Sequence, residues 1–169
     1  AVIVKHNNPC GAAESKDGLR AAYETAYSTD KTSAFGGIVG LNKKCTKDVA
    51  EALTRIFLEA VIAPGYEEDA LKLFETKKNL RIIDIGSMEG FCRGGGGVND
   101  YDMKRVSGGL LLQTVDAESA SDLKVVTNRA PNEQELSDLL FAWNVCRHVK
   151  SNAIILAKSG RTVGIGAGQ

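Results

Sequence analysis

The sequence predicts an α/β fold with a mostly parallel central sheet. Short apolar, β-branched segments alternate with segments whose apolar residues recur every three to four positions, in the order β-α-β-α-β-α-β up to residue 85. Strands that alternate with helices call for parallel pairing, with helices covering the sheet. The 169 residues can bury a substantial core in one or two domains.

Composition and charge limit the classes of function. The 21 Lys and Arg residues balance 21 Asp and Glu residues, so no general attraction to nucleic acid or to a membrane surface is expected. No apolar stretch approaches the roughly 20 residues that span a bilayer. The cysteines have no closely spaced pair, and we expect free thiols in a reducing cytoplasm; they are Cys10, Cys45, Cys92 and Cys146.

The first strand is predicted in the β-branched run Ala1–Val4. The polar segment 5–11 follows it at once, where an α/β sheet places its ligand crevice. A simple turn at Pro9 and Gly11 is the alternative interpretation. Because the chain has no initiator Met and opens inside a strand, we expect a fragment of a longer protein.

The next elements follow from periodicity and turn residues. A helix is predicted over about 15–28, and a strand over 38–41. Thr46 is a candidate N-cap for a second helix, whose apolar stripe would comprise Val49, Leu53, Ile56, Phe57 and Ala60. A strand at 60–63, a helix carrying Ala70, Leu71 and Phe74, and a strand at 80–85 would complete the alternation.

The middle of the chain differs in character. The segment 86–102 contains four consecutive glycines and is predicted as a surface loop; a phosphate-binding role stays open, although the Gly-Lys-Ser/Thr of a P-loop is absent. A strand is predicted over 106–112, with a bulge or a close backbone approach at Gly108. A short strand is predicted at 125–126.

The last part begins with the longest predicted helix, over about 131–149. Pro131 would occupy its first turn, and one face carries Leu136, Leu139, Leu140, Trp143 and Cys146. Arg147 and His148 would either complement the helix dipole or bind a ligand. A hairpin of 153–157 and 162–165 follows. We therefore predict one subdomain over 1–129 and the beginning of a second, truncated one over 130–169.

Candidate chemistry centres on the Lys5-His6 pair. An imidazole can accept a proton near pH 7, while Lys5 can bind an anion or supply a proton to a leaving nitrogen. Asn7, Asn8 and Asn152 offer amide groups to a carbonyl or a developing oxyanion. This set is suited to group transfer to an amine without a metal.

Zinc chemistry is not expected, although His6 and Cys10 resemble half of the deaminase signature H-x-E … P-C-x-x-C. Asn8 stands where the proton-shuttling Glu would be, and Ala13 stands where the second Cys would be. No G-x-S-x-G elbow is present. A Cys10 thiolate paired with His6 is the remaining nucleophilic alternative.

Five segments, in this order, closely resemble the transformylase domain of the PurH family, the bifunctional AICAR transformylase/IMP cyclohydrolases of purine synthesis. They are residues 5–11 (KHNNPCG), 33–37 (SAFGG), 62–65 (IAPG), 150–153 (KSNA) and 164–169 (GIGAGQ). The resemblance implies formyl transfer from 10-formyltetrahydrofolate to the 5-amino group of AICAR, giving FAICAR. It also implies a cytidine-deaminase-like three-layer unit, used twice and without the deaminase zinc.

The resemblance further assigns roles to individual residues. Lys5, His6 and Asn152 would be catalytic, with His6 deprotonating the attacking amine and Lys5 helping the folate nitrogen to leave. The substrate-binding residues would be Phe35 and Gly36 at the AICAR base or ribose, together with Glu59 and Asn8.

The resemblance also implies a homodimer whose active sites use both subunits, and it places the cyclohydrolase domain and part of the folate site outside this chain. Two alternatives stay open. One is a catalytically silent module that binds AICAR or a related nucleotide, and the other is a structural or dimerisation fragment. Neither nucleic acid nor membrane is expected as a partner.

Overall fold

The computed structural model describes residues 1–88, 101–116 and 120–168. The chain divides into two compact units, one comprising Ala1–Ser87 with Lys124–Gln169 and the other comprising Met88–Leu123. The predicted subdomain boundary at residues 129/130 stays a prediction. Of the loop predicted over 86–102, residues 89–100 with the four consecutive glycines lie outside the described residues, and residues 101 and 102 begin a strand. Within the described ranges, no helix has both the length and the apolar character needed to cross a membrane.

The first unit is built on a five-stranded sheet of order β2-β1-β3-β4-β5. Its strands are β1 (Val2–Lys5), β2 (Asn8–Ala12), β3 (Gly37–Gly40), β4 (Leu58–Ala63) and β5 (Arg81–Asp84). The pairs β3/β4 and β4/β5 are parallel, whereas β1 runs antiparallel to both β2 and β3. The predicted α/β class is therefore confirmed, but the sheet is mixed rather than mostly parallel.

A tight hairpin explains the antiparallel pairs. Lys5 pairs with Asn8, and the two residues between them, His6 and Asn7, have φ angles of 52° and 63°. Positive φ at both central residues is what a type I′ hairpin turn requires. The chain returns through Pro9 in β2, so the alternative interpretation of a turn at Pro9 and Gly11 is wrong.

Four helices accompany this sheet: α1 (Leu19–Thr29), α2 (Lys31–Ala34), α3 (Lys47–Leu53) and α4 (Glu68–Glu75). Their periodic apolar residues enter one core with the sheet, as predicted for Tyr23, Val49 and Phe74. The predicted stripe of α3 is too long, because the helix ends at Leu53 and Ala60 lies in β4. Thr46 is the N-cap residue, although its side chain makes no capping hydrogen bond.

Gly11 allows α1 to pack closely against β2. A Cβ atom at this position would lie 2.1 Å from the backbone oxygen of Ala26, far inside van der Waals contact. Neither backbone can yield easily, since both belong to regular elements. The glycine that sequence analysis linked to a turn is therefore a packing residue.

The same unit contains α5 (Glu133–Cys146) and the predicted hairpin of β8 (Ile154–Ala157) and β9 (Thr162–Gly166). Asn132 and Glu135 form a capping box at the start of α5, so Pro131 precedes the cap instead of lying in the first turn. Of the predicted stripe, Leu136, Leu139 and Trp143 are exposed. No strand forms at 125–126.

Thr162 joins β9 to the first sheet. Its side chain is buried at 1% exposure, and its hydroxyl accepts a hydrogen bond from Ala12 N at 2.9 Å and donates one to Ala12 O at 3.1 Å. Thr29 Oγ1 donates to the backbone oxygen of Thr162 at 2.7 Å. One hydroxyl thus satisfies both backbone groups of a buried residue in β2.

We predict that Thr162→Val lowers the free energy of unfolding by about 1–3 kcal/mol. Valine has nearly the same shape but leaves the buried N–H and C=O of Ala12 without partners. Urea denaturation measures the loss, and Thr32→Val at an exposed position is the matched control. Equal stability of the two variants would contradict this role for the hydroxyl.

The second unit contains a two-stranded hairpin of β6 (Tyr101–Val106) and β7 (Gly109–Thr114). The single strand predicted over 106–112 is wrong, because Ser107 and Gly108 form a turn within it. Gly108 has a φ of 81°, which explains the glycine there as a turn residue and not as a bulge.

Candidate functional site

The predicted site residues lie at the end of the sheet where β1 finishes and β3, β4 and β5 begin. This arrangement follows from the antiparallel direction of β1 relative to β3. The site was predicted at the end of the first strand, where α/β sheets commonly bind ligands. Lys5 and His6 do lie at the carboxyl end of β1, but the parallel strands β3, β4 and β5 present their amino ends here.

Lys5 connects the first two motifs. Its Nζ atom donates a hydrogen bond to the backbone oxygen of Gly36 at 2.9 Å, and the side chain is partly buried. Gly36 N in turn donates to Phe57 O at 2.8 Å. The ends of β1, β3 and β4 are thereby held together around one ammonium group.

The absence of a side chain at Gly36 makes this contact possible. Gly36 has a φ of 67°, and a Cβ atom there would lie 2.8 Å from Lys5 Nζ. We predict that Gly36→Ala displaces the Lys5 ammonium from Gly36 O and lowers the free energy of unfolding by about 1 kcal/mol more than the control variant, measured by urea denaturation. Gly86→Ala is the control, since Gly86 also has a φ of 67° but open space around it. If both variants lost the same stability, the prediction would be wrong.

Phe35 and Phe57 form an aromatic surface beside Lys5. Their ring centroids are 5.5 Å apart with planes inclined by 49°. Both rings are exposed, at 61% and 42% respectively, so they present apolar area to solvent where a planar base could stack. Sequence analysis missed Phe57, because its spacing continues the apolar pattern of α3 although the helix has already ended.

Glu59 lies in β4, with its carboxylate paired to Arg81 at the start of β5. Arg81 Nη1 and Glu59 Oε2 are 2.8 Å apart. Both residues line a shallow cleft of about 360 Å³, together with Phe57, Lys78, Asn79 and Leu80. Arg81 was not predicted as a site residue, since an arginine that begins a strand gives no signal of its partner.

Asn8 connects the β1–β2 turn to the loop after α5. Its Oδ1 atom accepts a hydrogen bond from Lys150 N at 2.9 Å. Gly168 N donates to Lys150 O at 2.8 Å, which also brings the last motif to this place. Asn152, two residues after Lys150, is exposed beside this connection. The structure therefore brings together the loops that carry Lys5, His6, Asn8, Asn152 and Gly168.

His6 is exposed at the tip of the turn, and its backbone oxygen accepts a 3.5 Å hydrogen bond from Asn8 Nδ2. Its exposure leaves the imidazole accessible to solvent and to a ligand. Nearby Cys10 is less suited to chemistry. Burial, with a smaller effect from the Asp30 carboxylate, raises the pKa of its thiol to about 11. A thiol that stays protonated at neutral pH is a poor nucleophile, which disfavours the Cys10–His6 alternative.

Cys10, Cys45 and Cys146 are free thiols, as predicted, while Cys92 lies outside the described residues. Among the residues that the structure describes, no group of three or more His, Cys, Asp and Glu side chains is arranged to hold a metal ion. The expectation of no zinc stays a prediction.

Residues 1–169 match the family model described as AICARFT/IMPCHase bienzyme. The chain belongs to this family. Its similarity to curated relatives extends over the whole chain: 53% identity over 171 residues with the bifunctional purine biosynthesis protein PurH of Magnetococcus marinus, and 52% over 171 residues with that of a Thermoanaerobacter species. The family resemblance predicted from the five segments is confirmed.

The chain spans about a third of the length of these relatives. The match covers 100% of this chain but 31% of the Magnetococcus protein, and 99% of this chain but 31% of the Xanthomonas euvesicatoria protein, which is also 53% identical. The chain therefore corresponds to one part of these relatives, whose names describe them as bifunctional purine biosynthesis proteins.

Proposed function

We propose that this chain carries the AICAR-binding and proton-transferring part of a formyltransferase site, which acts in IMP synthesis. The reaction would move a formyl group from 10-formyltetrahydrofolate to the 5-amino group of AICAR, giving FAICAR and tetrahydrofolate. The relatives named above support this proposal, because their names describe bifunctional purine biosynthesis proteins.

The observation that carries the proposal is the hydrogen bond from Lys5 Nζ to Gly36 O. It joins two segments that lie 31 residues apart in the sequence. One contains Lys5 and His6, whose side chains can transfer protons, and the other contains the exposed ring of Phe35. The hydrogen bond from Lys150 N to Asn8 Oδ1 brings the loop that contains Asn152 to the β1–β2 turn. Independent segments thus converge on one place, next to a surface on which the imidazole ring of AICAR can stack.

The proposed roles follow from the position of each group. His6 accepts a proton from the 5-amino nitrogen as that nitrogen bonds to the formyl carbon. Lys5 donates a proton to the folate nitrogen as its bond to the formyl carbon breaks, so protons and electron pairs balance. Asn152 donates a hydrogen bond to the formyl oxygen while negative charge develops there. The 10-formyltetrahydrofolate co-substrate supplies the formyl group, and we assign no residue to its binding.

Glu59 and Arg81 extend the proposed AICAR site. An exposed ion pair contributes little to stability by itself, but its carboxylate can accept hydrogen bonds from amino or hydroxyl groups. Glu59 would bind AICAR in this way, with Arg81 fixing the carboxylate. The family resemblance also supports a cytidine-deaminase-like unit and a homodimer, both of which we include in the proposal.

A catalytically silent AICAR-binding module is the second candidate. The chain's coverage of about 31% of its relatives favours it, because groups needed for folate binding can lie in the remainder. Folate dependence distinguishes the two candidates. A complete site should bind AICAR more tightly with a folate analogue present, whereas a silent module should not respond.

A hybrid protein tests the proposal directly. In the Magnetococcus protein, the matched 171 residues are replaced by this chain, and formyl transfer is measured as tetrahydrofolate release. We expect turnover within about tenfold of the unmodified relative. A folded hybrid that binds AICAR but does not turn over would support the silent module and reject the catalytic roles.

A further inference from the structure

Both backbone polar groups of Lys150 have hydrogen-bond partners, although the loop around this residue is exposed. Its N–H donates to Asn8 Oδ1 at 2.9 Å, and its C=O accepts from Gly168 N at 2.8 Å. Lys150 belongs to the irregular segment between α5 and β8, two residues before Asn152. An exposed loop without regular structure samples several conformations unless such contacts hold it. The two bonds therefore fix the backbone next to the proposed oxyanion donor.

The partners of the Asn8 carboxamide determine its orientation. A backbone N–H can only donate, so the oxygen of the carboxamide must face Lys150. The Nδ2 atom is then directed to the other side, 3.5 Å from the backbone oxygen of His6. One side chain thus connects the turn that carries the proposed proton acceptor with the loop that carries Asn152. Because its oxygen already has a protein partner, a role within the protein is favoured over direct binding of AICAR.

Lys5 holds the same turn from its other side. Lys5 and Asn8 are the pair that closes the turn, and paired residues lie on the same face of a sheet. β1 adjoins β3, whereas β2 is the edge strand of the five-stranded sheet. Lys5 accordingly reaches Gly36 before β3, while Asn8 reaches Lys150 beyond the edge. The turn that carries His6 is therefore held on both sides.

Gly168 contacts the same loop through its backbone. A Cβ atom at Gly168 would lie 2.1 Å from Ser151 O and 2.5 Å from Asn152 N, so only glycine lets the two backbone segments approach this closely. Its φ lies outside the left-handed range, so space and not backbone strain requires glycine here. The loop is thus enclosed between a side chain of β2 and the backbone that follows β9.

We propose that Asn8 and Gly168 are positioning residues, which hold the 150–152 loop so that Asn152 can serve as the oxyanion donor. This inference rests on the formyl-transfer site proposed above, and it replaces the direct AICAR binding by Asn8 that the family resemblance implies. A donor stabilises a developing oxyanion only when it is already in place, and a displacement of about 1 Å can lower a rate by about 10²-fold. Asn8 therefore acts on turnover and not on AICAR affinity.

Kinetics of the hybrid protein separate positioning from binding. Asn8→Ala should lower kcat by about 10- to 100-fold and change the KM for AICAR by less than about threefold. Asn8→Asp keeps an oxygen that accepts from Lys150 N and should recover kcat to within about fivefold of the unmodified hybrid. Asn42→Ala, at an exposed asparagine beyond the opposite end of β3, is the control and should change neither quantity. A raised KM with unchanged kcat would assign Asn8 to AICAR binding and overturn the proposal.

A double-mutant cycle shows whether Asn8 acts through Asn152. Asn152→Ala should lower kcat by about 10²–10³-fold, the usual loss when one oxyanion donor is removed. Adding Asn8→Ala should lower kcat by less than about twofold more, because the group that Asn8 positions is already absent. Independent effects would multiply, and multiplied losses in the double variant would overturn the proposal.

The amide of Lys150 tests the contact without any turnover. In NMR spectra of the full ¹⁵N-labelled chain, Asn8→Ala should raise the exchange rate of the Lys150 amide proton by about tenfold or more, whereas Asn8→Asp should not. Gly168→Ala should move the amide signals of residues 150–152, whereas Gly109→Ala, with open space around it, should not. Unchanged Lys150 exchange in Asn8→Ala would overturn the proposal. An unmodified hybrid without turnover would reject formyl transfer instead, while the Lys150 amide still decides whether Asn8 holds the loop.

Discussion

Replacing His6 by Asn in the hybrid protein should lower formyl transfer by about 10²–10⁴-fold, the usual contribution of a positioned general base. Asparagine is chosen because His6 has a φ of 52°, a conformation that Asn adopts more readily than other non-glycine residues. The turn is thereby preserved while the proton acceptor is removed. AICAR affinity should change by less than tenfold, because the role proposed for His6 concerns the transferred proton and not the binding of AICAR.

The control for His6→Asn is Asn7→Gly in the same turn. Asn7 has a φ of 63°, which glycine adopts without strain, so this variant keeps the turn and the imidazole. Turnover should stay within about threefold of the parent hybrid. If His6→Asn kept most of its turnover, proton transfer by His6 would be wrong.

Replacing Lys5 by Met should lower both AICAR affinity and turnover. Methionine keeps much of the apolar stem but removes the ammonium that donates to Gly36 O. In the proposed site this ammonium also contacts the bound AICAR, and losing a hydrogen bond to a charged group costs about 1.5–3 kcal/mol, so we expect affinity to fall by about 10- to 150-fold. Turnover at saturating substrate should also fall, because no group remains to protonate the leaving nitrogen. Calorimetry measures the first effect and tetrahydrofolate release the second.

Lys16→Met is the matched control for Lys5. Lys16 is an exposed lysine outside the described contacts of the site. Lys16→Met should change neither AICAR affinity nor turnover by more than about twofold. If Lys5→Met had the same AICAR affinity and turnover as Lys16→Met, the proposed position of Lys5 at the reacting groups would be wrong.

The elements of the fold were predictable because their signals are local. Apolar periodicity identified α1, α4 and α5, and β-branched runs identified β1, β3, β4 and β8. Strand direction was not predictable, because it depends on a turn with positive φ at His6 and Asn7 that contains no glycine. The end of α3 was missed because Ile56 and Phe57 continue the helical spacing after the helix has ended.

The prediction of which residues form the site depended more on the family resemblance than on the chemistry of each residue. The chemistry of Lys5, His6 and Asn152 alone suggested transfer to an amine but could not bring these groups together. Their association rests on contacts over long separations, 31 residues for Lys5 with Gly36 and 142 for Lys150 with Asn8. No local pattern records such contacts. The ion pair of Glu59 with Arg81 was missed for the same reason.

Mapping AICAR binding by NMR on the ¹⁵N-labelled chain tests the central claim most directly, namely that the loops at the carboxyl end of β1 form the AICAR site. We predict amide shifts that saturate with AICAR and cluster at residues 5–8, 35–37, 57–59 and 150–152. The amides of α4 and of the β6–β7 hairpin should not respond. Shifts that cluster elsewhere, or a spectrum that AICAR leaves unchanged, would contradict the site proposed for this chain.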